Sequence, residues 1–128
     1  MDKVEILVLR NLLFNEKYLR KVIPFIKADY FEDTQQRIVF EEILNFVTEY
    51  NELSTKEVLC IEVEKRQDIN DTSFQEITKL ISYLEEVPTD YDWLVDTTEK
   101  WCRDRAIYLA LMESISLADG KDKEKDRD

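Results

Sequence analysis

Glu85 and Glu86 stand side by side, and a pair of carboxylates is the smallest apparatus for general acid–base chemistry. Consecutive residues on a helix point about 100° apart, however, so the two carboxylates do not converge on one reacting atom. Cys60 and Cys102 are the only thiols. They lie far apart in sequence and form no C-x-x-C pair for a metal or for redox chemistry. Each reads as a small buried apolar residue, and a disulfide between them is open but unsupported. The chain has no histidine, which removes imidazole acid–base catalysis, Ser-His-Asp triads and histidine metal ligands. Gly120 is the only glycine, so neither G-x-x-x-x-G-K-[ST] nor G-x-G-x-x-G can be written. The residues therefore point to a chain that is not an enzyme, with no catalytic, cofactor or metal site.

The charge narrows the partners. Formal net charge is −11 over 128 residues. A duplex-binding surface needs clustered Lys and Arg. Here the bases are interleaved with acids, as in Arg103-Asp104-Arg105. Direct binding to nucleic acid is disfavoured, and binding to an anionic membrane more so. Without a signal peptide or a long apolar run, the sequence reads as cytosolic and reduced.

The elements that must carry whatever surface this chain uses are helical. One Gly and two Pro are too few for hairpins and phosphate loops, while 44% hydrophobic residues suffice for a core. The reading is all-α, a compact bundle of about six helices. Capping signals mark their starts: Asn15, Asp33 with Gln36, Ser54-x-x-Glu57, Ser73-x-x-Glu76, and Thr89 with Asp92. The spacing predicts helices over about Lys3–Phe14, Glu16–Ile26 (interrupted by Pro24), Thr34–Tyr50, Thr55–Arg66, Phe74–Glu86 and Asp90–Ala118. Leu59 to Glu64 alternates like a strand, but the box ahead of it favours helix. Pro88 is expected to close the fifth helix and Gly120 the sixth. Residues 1–88 then form the globular bundle and 89–118 a long helix of the same domain. Residues 119–128 form a charged, disordered tail.

That sixth helix would reach about 40 Å, longer than a small globule needs. Leu94, Trp101, Tyr108, Met112 and Ile115 approximate a heptad stripe along it, with Thr98 and Arg105 as polar interruptions. Leu94, Trp101, Arg105, Tyr108, Met112 and Ile115 are the candidate self-association residues. Tyr30 and Phe31, ahead of the third helix, read as core aromatics that seat that helix on the first two. Glu41, Glu42 and Glu49 read as a solvated face.

Taken in order, these pieces resemble the N-terminal domain of DnaB-type replicative helicases, in particular those of T-even-type bacteriophages. The likeness rests on Glu5 before a small apolar helix, then Asp29-Tyr30-Phe31, then Arg37, Phe40 and Ile43 in one helix, then Leu53-Ser54 leading into a capped helix. The later "ISYLEEVPTDYDWLVDTTEKWCRDRAIYLALMESI" resembles the family's step into a long hairpin helix. "QDINDTSF" stands where a Gly-Gly turn is usual. The resemblance implies a non-catalytic collar domain of a hexameric helicase. Such a domain pairs through its hairpin, often as a trimer of dimers, and docks primase. It implies that ATP and Mg belong to a separate motor domain, which alone meets DNA, and that the parent is a 5′-to-3′ helicase. The setting would be the cytoplasm of a host bacterium, away from membranes. The rival reading is an acidic helical adaptor for a protein partner, unrelated to helicases.

Overall fold

The computed structural model describes residues 3–125, with side chains as far as Gly120. It contains α1 (Val4–Phe14), α2 (Glu16–Val22), α3 (Thr34–Tyr50), α4 (Lys56–Glu64), α5 (Asp71–Tyr83) and α6 (Tyr91–Lys125). Two 3-10 turns, Ile23–Phe25 and Ala28–Tyr30, link α2 to α3. Among the described residues there is no strand, so the all-α reading is the observed class.

Short polar side chains set the helix starts. Asn15 Oδ1 accepts the Tyr18 N–H at 3.0 Å, and Asp33 Oδ1 accepts those of Gln35 and Gln36 at 2.8 and 3.2 Å. Three starts shift from the sequence reading. Thr55, not Ser54, caps α4, accepting the Val58 N–H at 3.2 Å, while Ser54 is buried. Asn70, not Ser73, caps α5, accepting the Ser73 N–H itself at 2.8 Å. Asn caps as well as Ser, and the earlier start still turns Ile77 and Ile81 into the core. Asp90, not Thr89, meets the Trp93 N–H at 2.9 Å at the start of α6.

The helix ends show what competes with periodicity. α2 stops at Val22 rather than Ile26, because Pro24 has no N–H to give and sits in the 3-10 turn. α3 ends at Asn51 in the left-handed region, φ 55°, a conformation that Asn tolerates. Arg20 reaches across from α2 and donates to the Asn51 side-chain and main-chain oxygens at 2.9 and 3.0 Å. α5 ends at Tyr83 because Leu84 turns out of the helix and is fully buried, so Pro88 is not what closes it. Gly120 does not stop α6, which runs on to Lys125. One glycine costs an exposed helix only about 1 kcal/mol relative to Ala, and no neighbour within 4 Å crowds it. The stretch expected as a disordered tail is thus helical to Lys125, and residues 126–128 lie outside the described residues.

α3 is the central element. It packs on α1, α4 and α5, while α1 and α2 carry α6. Tyr18, Phe31, Phe40, Leu9 and Leu12 are fully buried where these layers meet. Glu42, read from sequence as solvated, is buried too, paired with Arg66 at 3.0 Å. Arg66 also holds Asp68 at 2.7 Å, and its hydrogen bond keeps that carboxyl below the usual range.

A buried hydroxyl chain joins α2 to α6. Thr98 Oγ1 donates to the Leu94 carbonyl at 2.8 Å. That uses its one proton, so Tyr18 must be the donor in the 2.6 Å bond between Tyr18 and Thr98. Burial raises the Tyr18 phenol well above its ordinary value and pushes the Cys102 thiol up to about 12. Both cysteines are free, and Cys60 is only half-buried.

An alkaline sensitivity follows. The folded protein keeps protons that the unfolded chain releases, so this stability is complete below the ordinary thiol value of 9.0 and falls as pH rises towards about 12. Urea denaturation at neutral and alkaline pH should show the decline, and Cys102→Ala should remove the part that sets in near 9.0 and leave the part due to Tyr18. Iodoacetamide should label Cys60 faster than Cys102 in the native protein. Equal labelling would show that Cys102 is not shielded.

Candidate interaction surface

Thirty-five residues make α6 about 50 Å long. Its first half belongs to the core: Leu94, Val95, Thr98, Trp101 and Cys102 are all buried. Its second half leaves the globule. Ile107, Tyr108, Leu111, Met112, Ile115 and Leu117 are between 45% and 62% exposed. An unbroken set of large apolar side chains on one projecting segment is the kind of surface that marks an interaction site.

The expected heptad stripe divides at the edge of the globule. Leu94 and Trp101 lie in the chain's own core, a correction to their placement on an outer seam. A row of every seventh residue drifts by only about 20° per heptad. The row that is buried at Leu94 and Trp101 therefore emerges at Tyr108 and Ile115 because the globule ends, not because the helix turns away. Met112 emerges with it. Ile107 and Leu111, which the heptad reading passed over, widen the exposed face on one side. The signal for them was present as the i, i+4 series Ile107, Leu111, Ile115.

Arg105 marks the boundary and does not sit in an outer seam. Its Nε donates to the Tyr30 carbonyl at 2.6 Å and its Nη1 pairs with Glu32 at 3.1 Å. Its guanidinium lies 5.0 Å from the Tyr108 ring centre. Tyr30 and Phe31 both pack edge-on against Trp101, at 6.1 and 5.0 Å between ring centres, and Phe31 meets Phe40 of α3 at 5.2 Å. Tyr30 and Phe31 are core, as read from the sequence, and they also form the socket for α6 on α3.

Glu85 pairs with Lys56 at 3.0 Å, and both Glu85 and Glu86 are exposed. Among the described residues no group of three or more His, Cys, Asp or Glu is placed to hold a metal ion. No described helix is long and apolar enough to cross a membrane.

Residues 2–94 match the family model described as the DnaB-like helicase N terminal domain. The chain belongs to that family. A DnaB-like replicative helicase of Enterobacteria phage T4 is 31% identical over 111 residues, which is 87% of this chain and 23% of the phage protein. The chain therefore spans less than a quarter of that relative's length. The family match ends at Leu94, so the core residues Val95, Thr98, Trp101 and Cys102 lie beyond it together with the exposed second half of α6, the arm.

Core and arm should respond differently to substitution. Trp101→Ala is expected to cost about 3–5 kcal/mol. Trp101→Phe should cost less, because the indole N–H makes no hydrogen bond. Met112→Asp in dilute protein should stay within about 0.5 kcal/mol of wild type. Urea titrations followed by circular dichroism measure all three. A Met112→Asp loss as large as that of Trp101→Ala would mean that the arm is covered by its own chain.

Proposed function

We propose that this chain is the non-catalytic collar domain of a hexameric phage replicative DNA helicase, and that it serves self-association and primase docking. The observation that carries the reading is the arm. A DnaB-like helicase N-terminal domain places about two turns and more of exposed apolar helix, Ile107 to Leu117, beyond the end of its own core. Aromatic residues and Met are enriched in interface cores, and Tyr108 and Met112 belong to this face. Arg105 and the Tyr30–Phe31–Trp101 packing hold the root of the arm, so the face is presented at a set position. Pairing arm to arm gives a dimer, and three dimers would make a collar above a six-fold motor. ATP, Mg and DNA would be handled by the motor domain of the parent protein, in the cytoplasm of the host cell. The sequence offers no phosphate loop for the work. An adaptor unrelated to helicases does not account for the family match.

Sedimentation at several concentrations tests self-association. Wild type should form dimers as concentration rises. Met112→Asp with Ile115→Asp should stay monomeric at unchanged helicity, since an unpaired carboxylate in an apolar contact is costly. A wild type that remains monomeric at the highest concentration would remove the proposal.

The charge of −11 gives a companion expectation. Fluorescence anisotropy at physiological salt should show no appreciable affinity of this chain for DNA. Tight, steeply salt-dependent binding would contradict the assignment of DNA contact to the motor domain.

A further inference from the structure

The seam between α3 and α4 carries an exposed aromatic pair that the core does not use. Phe46 and Tyr50 stack at 4.8 Å between ring centres, and Tyr50 is 57% exposed. They line a groove of about 280 Å³ with Val58, and Glu49 and Glu62 stand on its rim. The groove continues along the same seam past Glu42 to Lys65 and Arg66. From Glu42 to Tyr50 it follows about 12 Å of α3, the length of two turns of a docked helix.

The charges differ at the two ends. At the far end the acids are already met: Arg66 pairs with Glu42 at 3.0 Å and Lys65 with Glu62 at 3.1 Å. At the aromatic end Glu49 has no basic partner among the described residues. It stands in the last turn of α3, where a carboxylate faces the negative end of the helix dipole and no base lies in that turn. Glu49 and Tyr50 both line the groove, so a Lys or Arg side chain can pair with the carboxylate while its aliphatic stem covers the aromatic pair. Phe46 and Val58 offer apolar cover for its neighbour one turn away.

We propose that this groove docks an amphipathic helix of another protein, with a basic residue seated on Tyr50 and Glu49 and an apolar residue between Phe46 and Val58. Phosphate backbones are excluded by the same carboxylates. The site is independent of self-association, which uses the α6 arm.

The test uses ¹⁵N-labelled protein and two synthetic amphipathic-helix peptides, one with Leu at i, i+3, i+4 and i+7 and Lys at the positions between, and one with Glu in place of every Lys. The Lys peptide should shift amides of the α3–α4 seam, and added salt should weaken it. Glu49→Gln with Tyr50→Ala should weaken it about tenfold while leaving the fold intact, since both residues are exposed. The Glu peptide should not bind. Four results would overturn the proposal: shifts confined to the α6 arm, shifts scattered over the surface, equal affinity of the double variant, or equal binding of the Glu peptide. Concentration-dependent shifts at the seam without peptide would also overturn it, by assigning the groove to a second copy of this chain.

Discussion

The packing of Trp101 against Tyr30 and Phe31 is the contact on which the shape of this protein depends. α6 is one helix with two different environments, and this contact fixes where one gives way to the other. Phe31 reaches Phe40 of α3 from one side and Trp101 from the other, so a single buried ring couples the central helix to the long one. Edge-to-face aromatic pairs add about 0.5–1.5 kcal/mol beyond the area they bury. The hydroxyl chain from Tyr18 through Thr98 to the Leu94 carbonyl adds a second, polar attachment one turn earlier. With α6 held at these points, its stiffness carries the distal apolar residues away from the globule.

Charge is handled by a few arginines rather than by surface balance. Arg20 closes the end of α3, Arg66 gathers Glu41, Glu42 and Asp68, and Arg105 ties the root of the arm to Tyr30 and Glu32. Each guanidinium offers several donors in a fixed plane, which lets one side chain meet two or three oxygens that belong to different elements. The remaining acids stay in water, where self-repulsion is screened within roughly 10 Å. The result is an acidic globule that leaves large apolar and aromatic side chains of α6 exposed.

How much of this was legible in the sequence differs from residue to residue. α3 was read at its observed ends because the Asp33 cap and a strong apolar period agree there, and the structure adds Asn51 in the left-handed region at its end. α5 was misplaced by three residues at each end because two caps, Asn70 and Ser73, were equally good locally. Ile77 and Ile81 are buried from the earlier start as well, and the C-terminal end is set by Leu84, which leaves the helix to be buried. Glu42 looked solvated because nothing nearby in sequence announces Arg66, which arrives from the connection after α4.

The sequence by itself determined the class of protein: one glycine, no histidine and regular apolar spacing leave helices and exclude most chemistry. It also determined that α6 would outrun a small globule. Only the tertiary structure decided which part of the α6 stripe is core and which is surface. Leu94, Trp101, Tyr108 and Ile115 are equivalent by period, since periodicity records the face of a helix and not what covers it. Cover is a property of other segments, here Tyr30 and Phe31 some seventy residues earlier, and it reaches no further than Leu109 among the large apolar residues of α6.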